Sequence, residues 1–571
     1  MRRLLACLAL LAVAATGAGC TSAAGSGPNA PAPEVSSSNG PAANGSVSNG
    51  PAANASGSAA GAPSGKLTAL PSPSLGSHLP TTLAGYYTQR LTWTKCETYF
   101  ECSWLIVPAD YPDPAGNRFA LPVVKLAASD PGQKIGSLVL NPGGPGGSGV
   151  DYVLSARTGE FTQNVLNRFD IVGFDPRGVG SSMPSLRCMS GPQLDRYFQA
   201  GGFPVGSAQL SGLISEGKLY ASQCVKNAKA LLPYVGTVST AKDMDVLRAA
   251  LGESKLTFLG KSYGTYLGAA YASQFPAKVR ALVLDGAITP RLSGIQLDIA
   301  QAQGFERAFG QYASWCAGQR GCPFGRGSSA TASALPKIEA LLAKATKGPL
   351  TNSLGDGQEA TASMLQEGIS AALYSKEDWP YLNTALTQAM GGDGTMLVEF
   401  ANSLMERNTN GTYSNLSDVF MSVSCLDRAW PKSIADWQEA SNQASKEAPL
   451  FGAMEVWGSL PCAYWPVAAT PAVPSSAGSL SGSSSGSSKA SSGSSASGSS
   501  AAPVLVVGDL HDPATPYSWA QALAKDLPGG VLLGWDGEGH TSYMEGSTCV
   551  NNAVDNYLIS LKPPKSGTVC P

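Results

Sequence analysis

Histidine is scarce in this chain: three residues in 571, at His78, His511 and His540. With so few imidazoles, no Cys-x-x-Cys pair and no Cys/His cluster at zinc spacing, a metal centre is not expected. Charge is scarce as well. Lys and Arg number 38 against 40 Asp and Glu, only 14% of the chain in all, with no basic tract to grip nucleic acid and no acidic tail. A bilayer-spanning run is missing too. The apolar stretch Leu4 to Ala15 is too short to cross and has the wrong flanks.

What that stretch does have is the layout of an export signal. Arg2 and Arg3 precede it, and the small residues Gly17, Ala18 and Gly19 follow, ending at Cys20. Residues 1–20 therefore read as a signal peptide with a lipobox-like end, Cys20 being the lipidated residue of a lipoprotein on the outer face of the cell membrane. Gly17 stands where a lipobox usually has an aliphatic residue, and the alternative is cleavage nearby and free secretion. The membrane is reached only through that lipid. Residues 21–75, almost wholly Ala, Ser, Gly, Asn and Pro, read as a flexible tether. Twelve cysteines less Cys7 and Cys20 leave ten, an even number that suits disulfides in an exported protein. Spacing suggests neighbour pairing: 96 with 102, 188 with 224, 316 with 322, 425 with 462, and 549 with 570.

Folded sequence is expected over 76–289 and 503–571, in alternating apolar strands and amphipathic helices, the pattern of a mostly parallel sheet with helices on both faces. The organising stretch is Leu256-Thr-Phe-Leu-Gly-Lys-Ser262-Tyr-Gly-Thr265, a strand running into Gly-x-Ser-x-Gly and then a helix. That context makes a nucleophile elbow, its serine exposed at the carboxyl end of a strand. Upstream, the strand before Asn141 feeds a loop with Gly143, Gly144, Gly146, Gly147 and Gly149. It lacks the Gly-Lys-Ser/Thr ending of a phosphate loop and suits an oxyanion loop better, with Asn141 at the position of a histidine. No cofactor is expected. Asp175 and Arg177 read as a turn held by local hydrogen bonds and an ion pair beside the site. Residues 290–466 change to helical segments, an inserted cap, and 467–502 to a Ser/Gly-rich flexible insertion.

A serine needs a base, and the base needs a carboxylate to orient it. His540 follows the last strong strand, and Asp512 follows the one before it. Asp509 and Asp285 are the competing acids. Ser262, Asp512, His540 is the chain order of an α/β-hydrolase triad.

At these residues the sequence resembles the α/β-hydrolase peptidases of the tripeptidyl and prolyl aminopeptidase group. The resemblance runs from about Trp93 to Cys570. It rests on Asn141-Pro-Gly-Gly-Pro-Gly-Gly-Ser-Gly, Asp175-Pro-Arg-Gly-Val-Gly-Ser, Gly260-Lys-Ser-Tyr-Gly-Thr-Tyr, Asp512-Pro-Ala-Thr-Pro and Gly539-His540. It implies an exported exopeptidase that releases short peptides or single residues from free N-termini. Tyr263 and Gly144 would supply the oxyanion amides, and Asp427 or Glu306 in the cap the carboxylate for the substrate ammonium. An esterase or small-amide hydrolase with the same triad is the alternative, and a non-catalytic surface binding protein the second.

Overall fold

The computed structural model describes residues 79–473, except 203 and 205, and residues 502–571. The signal, the tether, His78 and Cys20, and most of the Ser/Gly-rich insertion lie outside these residues.

Ten strands form one sheet: β1 (Thr94–Glu97), β2 (Phe100–Pro108), β3 (Arg118–Leu126), β4 (Gly136–Asn141), β5 (Phe169–Phe174), β6 (Leu256–Lys261), β7 (Val279–Asp285), β8 (Val504–Asp509), β9 (Gly530–Trp535) and β10 (Thr568–Cys570). Their order is β1-β2-β3-β5-β4-β6-β7-β8-β9-β10. The first three strands pair antiparallel, as do β3 and β5; every pairing from β5 through β10 is parallel. Strands covered on both faces must be apolar throughout, which is why β5, β6 and β8 are buried at every residue. They pack with the helices Gly149–Leu154 and Thr548–Ser560 in one core containing Leu140, Ile171, Leu259, Val283, Val507 and Tyr557.

Between β7 and β8 the chain is helical, from Gly294–Ala317 to Gly452–Gly458. Among the described residues no strand of the sheet interrupts this inserted region. A second segment joins it from the other side of β6. In the helix Ser207–Ala228, Leu213 packs with Trp437, Val456, Trp457 and Leu460 of the insertion. The reason is local: Gly202 and Gly217 lack side chains where Met454 and Leu460 come closest.

Five disulfides join the expected pairs, Cys96–Cys102, Cys188–Cys224, Cys316–Cys322, Cys425–Cys462 and Cys549–Cys570. That number points to an extracytoplasmic protein. No helix among the described residues is long and apolar enough to cross a membrane.

Candidate active site

The elbow is built by two glycines and one strained serine. Ser262 has φ 54° and ψ −123°, a backbone state that costs a side-chain-bearing residue roughly 1–3 kcal/mol. The helix Tyr263–Gln274 begins at the next residue. A Cβ on Gly260 would lie 2.3 Å from the carbonyl oxygen of Gly264, and one on Gly264 would lie 2.7 Å from that of Asn141. The turn therefore closes only with hydrogen at both places. The Ser262 amide donates to the Asp285 carbonyl (2.9 Å), which fixes the elbow against the end of β7.

The glycine-rich loop after β4 lies against this turn. A Cβ on Gly143 (φ 105°) would come within 2.8 Å of Ser262 Cβ and 3.2 Å of the Tyr263 nitrogen. The Gly143 amide itself donates to Asn141 Oδ1 (3.1 Å). Among the described residues the amides of Gly144 and Tyr263 have no acceptor, which leaves them free for an oxyanion. Asp175 secures the loop. Its carboxylate accepts from Ser148 Oγ (2.6 Å), the Val150 amide (3.3 Å) and the Ser181 amide (2.8 Å), and burial pushes its pKa up to about 6. Arg177 turns away into a buried bidentate pair with Asp243, both contacts at 2.6 Å, and donates to the carbonyls of Pro108, Ala109 and Tyr234. Both residues are structural supports.

On the far side of β6, His540 Nδ1 lies 2.9 and 3.0 Å from the two oxygens of Asp512. Asp512 is buried, and its carboxylate also accepts from the amides of Ala514, Thr515 and Thr541 and from the Thr515 hydroxyl (2.8 Å). These donors fix the carboxylate in place, and the carboxylate in turn orients the imidazole through Nδ1. The His540 amide donates to the Tyr374 carbonyl (2.8 Å), and the Tyr374 ring stands edge-on to the imidazole at 5.3 Å. A Cβ on Gly286 would sit 3.3 Å from His540 Cε1. Gly286 follows the residue whose carbonyl holds Ser262, so the imidazole and the elbow both adjoin the end of β7.

The competing acids have other tasks. Asp285 accepts from the amides of Ser542 and Tyr543 and so anchors the loop that carries His540. Asp509 accepts from the His511 amide, while its buried Oδ2 has no partner and burial pushes its pKa up to about 9. His511 faces Gly537, Asp536 and Glu538 rather than the serine.

Asp427 and Glu306 are both engaged. Asp427 accepts from the Thr237 amide (3.0 Å) and hydroxyl (2.6 Å), and that hydroxyl also meets the Tyr263 hydroxyl. Glu306 accepts from the Leu450 amide (2.9 Å). Two other carboxylates have no hydrogen bond or ion pair among the described residues: Glu367, on the helix Ala362–Leu373, and Glu455, on Gly452–Gly458. Both are partly open to water yet surrounded by protein, as groups lining an internal cleft are. Burial raises Glu367 to about 7; burial and then the charge of Glu367 raise Glu455 to about 8. Glu455 and Glu367 are within electrostatic reach of Tyr374, whose ring stands edge-on to His540. Sequence reading missed them because 88 residues separate the two; the only local signal is one acid inside each apolar run, Met364-Leu-Gln-Glu-Gly-Ile and Met454-Glu-Val-Trp. Among the described residues no group of three or more His, Cys, Asp or Glu side chains is arranged to hold a metal ion.

Comparison with known proteins identifies the family. A family model for the alpha/beta hydrolase fold matches residues 136–547. The serine protease Hip1 of Mycobacterium tuberculosis is 35% identical over 502 residues, covering 84% of this chain and 91% of Hip1. A carboxylesterase B of the same organism is 35% identical over 500 residues, with 84% and 89% covered. A tripeptidyl aminopeptidase of Streptomyces lividans is 30% identical over 476 residues, with 82% and 83% covered. The chain belongs to the alpha/beta hydrolase family and is a serine hydrolase within it.

Proposed function

We propose that the chain is an exported serine exopeptidase that removes short peptides or single residues from free N-termini. His540, oriented by Asp512, takes the Ser262 proton as the oxygen attacks the scissile carbonyl. The Tyr263 and Gly144 amides receive the developing oxyanion. His540 then protonates the leaving amine and activates the water that cleaves the acyl-enzyme.

The observation that carries the peptidase reading is the unpaired couple Glu367 and Glu455. Two enclosed carboxyls with no cation beside them resist ionising unless a ligand supplies the counter-charge. A substrate ammonium does so, and an ester lacking one does not. Asp427 and Glu306, already hydrogen-bonded, are left as supports of the site. The relative named carboxylesterase B favours the second reading, an esterase with the same triad, and its substrates belong in the same test. A tripeptide anilide with a free N-terminus, its N-acetylated form and a short-chain ester are assayed side by side. Preference for the free anilide, lost in Glu455→Gln, supports the exopeptidase; equal turnover of free and acetylated anilide removes it.

Cys20 is proposed as the lipid-bearing residue, which makes the enzyme a lipoprotein of the outer membrane face. Cys20→Ser should then appear in the culture medium, and wild type in the membrane fraction.

A further inference from the structure

A cavity of about 510 Å³ opens next to the histidine loop, lined by Arg307, Gln311, Trp315, Lys376, Trp379 and Glu538, with Gly310 and Ser314. Its position follows from backbone pairing. Ser375 and Gly539 form an antiparallel bridge, and the His540 amide binds the Tyr374 carbonyl. Lys376 is the residue after that bridge on one strand, and Glu538 the residue before it on the other. The cavity thus borders the segment that carries the imidazole. In acyl transfer the imidazole hands its proton to the departing amine, so the leaving group lies on the histidine's side.

The lining has binding capacity that the fold does not use. Arg307, exposed on the cavity wall, has no hydrogen bond or ion pair among the described residues, and its partial burial holds the guanidinium's pKa below the ordinary value. Gln311, one turn further along the same helix, has a buried Oε1 without a partner, and Trp379, itself buried, an Nε1 without one. Lys376 Nζ lies over the Trp379 ring at 5.6 Å, and Trp315 packs edge-on against it at 5.5 Å. The one acid in the lining, Glu538, has an oxygen 3.5 Å from His511 Nδ1. Two cations, an unpaired Arg307 and a Lys376 that lies over the Trp379 ring, suit a carboxylate on a short stretch of peptide.

We propose that this cavity seats the C-terminal carboxylate of a short peptide substrate, on the leaving-group side of the scissile bond. The inference rests on the exopeptidase reading and adds a substrate class to it: free oligopeptides of a few residues, recognised at both ends, rather than the termini of folded proteins. An extended leaving segment advances roughly 3.3–3.6 Å per residue, so the cavity sets a preferred length.

The test compares peptides identical except at the C-terminus, as free acid and as amide, all with free N-termini. The wild-type enzyme should favour the acid in kcat/KM by a factor of roughly ten, the effect of one charge-assisted hydrogen bond. Arg307→Gln should bring the acid-to-amide ratio toward one, and Arg307→Glu should invert it. Both variants change a side chain on the open cavity wall, and the ratio is read within one preparation, so altered folding cannot imitate the result. An acid-to-amide ratio of one in the wild type, or an unchanged ratio in both variants, overturns the proposal. So does an amidated peptide with Asp at its last position matching the free acid, which would assign the cavity to a side-chain carboxylate. Failure of the exopeptidase reading is visible separately, as equal turnover of free and acetylated anilides that lack any C-terminal carboxylate.

Discussion

Replacing Glu455 by Gln should stabilise the protein while damaging its selectivity. In the native state the carboxyl has its pKa raised to about 8, first by burial and then by Glu367. In the unfolded chain it titrates near the ordinary glutamate value of about 4.3. The native state therefore holds a proton that the unfolded state releases, and stability is lost as pH rises from the unfolded pKa to the folded one. Each unit of difference is worth about 1.4 kcal/mol. A shift of between three and four units would give about 5 kcal/mol as a ceiling. Partial access to water and sharing of the effect with Glu367 reduce that to about 2–4 kcal/mol. Glutamine keeps the shape and removes the titration. For a chain of this size 1 kcal/mol is worth about 1 °C, so Tm should rise by about 2–4 °C at pH 8. The gain should shrink as pH falls and vanish near pH 4, where both states are protonated. The same substitution removes one partner of the substrate ammonium, and kcat/KM for the free tripeptide anilide should drop by roughly ten- to a hundredfold relative to its acetylated form. Calorimetry from pH 4 to 8 and the paired assay read the two effects. A Tm that falls, or a gain independent of pH, would refute the claim of an uncompensated buried charge; undiminished discrimination would refute the ammonium role.

The remaining expectations concern the elbow and the histidine loop. Ser262→Ala should abolish turnover and covalent labelling by a fluorophosphonate. Asp512→Asn should leave the fold intact and lower kcat by roughly 10⁴, because an amide no longer fixes the tautomer that the serine needs. Gly264→Ala places a methyl 2.7 Å from the Asn141 carbonyl, so the elbow must open; a loss of roughly 1–3 kcal/mol in a urea titration should accompany near-complete inactivation. Asp285→Asn puts an amide group against the donors of Ser542 and Tyr543, and should lower both Tm and kcat without the tautomer defect. Its kcat should exceed that of Asp512→Asn by at least a factor of ten, and parity of the two would overturn this division of roles.

Much of this arrangement was legible in the sequence, because elbows and central strands are local chemistry. Leu256 to Lys261 is apolar enough to be buried on both faces, and Gly260 and Gly264 stand at the two positions where a side chain would collide. With only three histidines, the choice of base was almost made by counting. The cysteines, taken as neighbours in the chain, paired as expected because each pair joins segments at most 37 residues apart in the chain. What sequence could not reveal is whatever depends on two distant helices meeting. Asp427 and Glu306 looked available from their helical setting, but hydrogen-bond donors reach them from Thr237 and Leu450, far away in the chain. Glu367 and Glu455 gained their character only by the opposite accident, that nothing basic came near. Likewise, the helix Ser207–Ala228 packs with the inserted helices through Leu213 although it precedes β6 in the chain.

The contrast among the acids suggests how the site is biased before any substrate arrives. Asp512 is surrounded by donors, four besides the imidazole, which hold its carboxylate against His540. Asp285 has three donor contacts from the amides of Ser542 and Tyr543 and works as a tie between β7 and the loop. Asp509, three residues before Asp512 and one donor short, is pushed to about 9, a direction shared by desolvation and the charges of its neighbours. A neutral Asp509 spares the end of β8 a second negative charge beside Asp512, which would otherwise compete for the imidazole as it becomes cationic. Burial likewise raises the pKa values of the unpaired acids Glu367 and Glu455, to about 7 and about 8. In the proposed exopeptidase these two acids keep their protons until the substrate brings its own counter-charge. On that proposal a cationic N-terminus should be preferred over a neutral one, and the preference would come from donor placement rather than from which acidic residues are present.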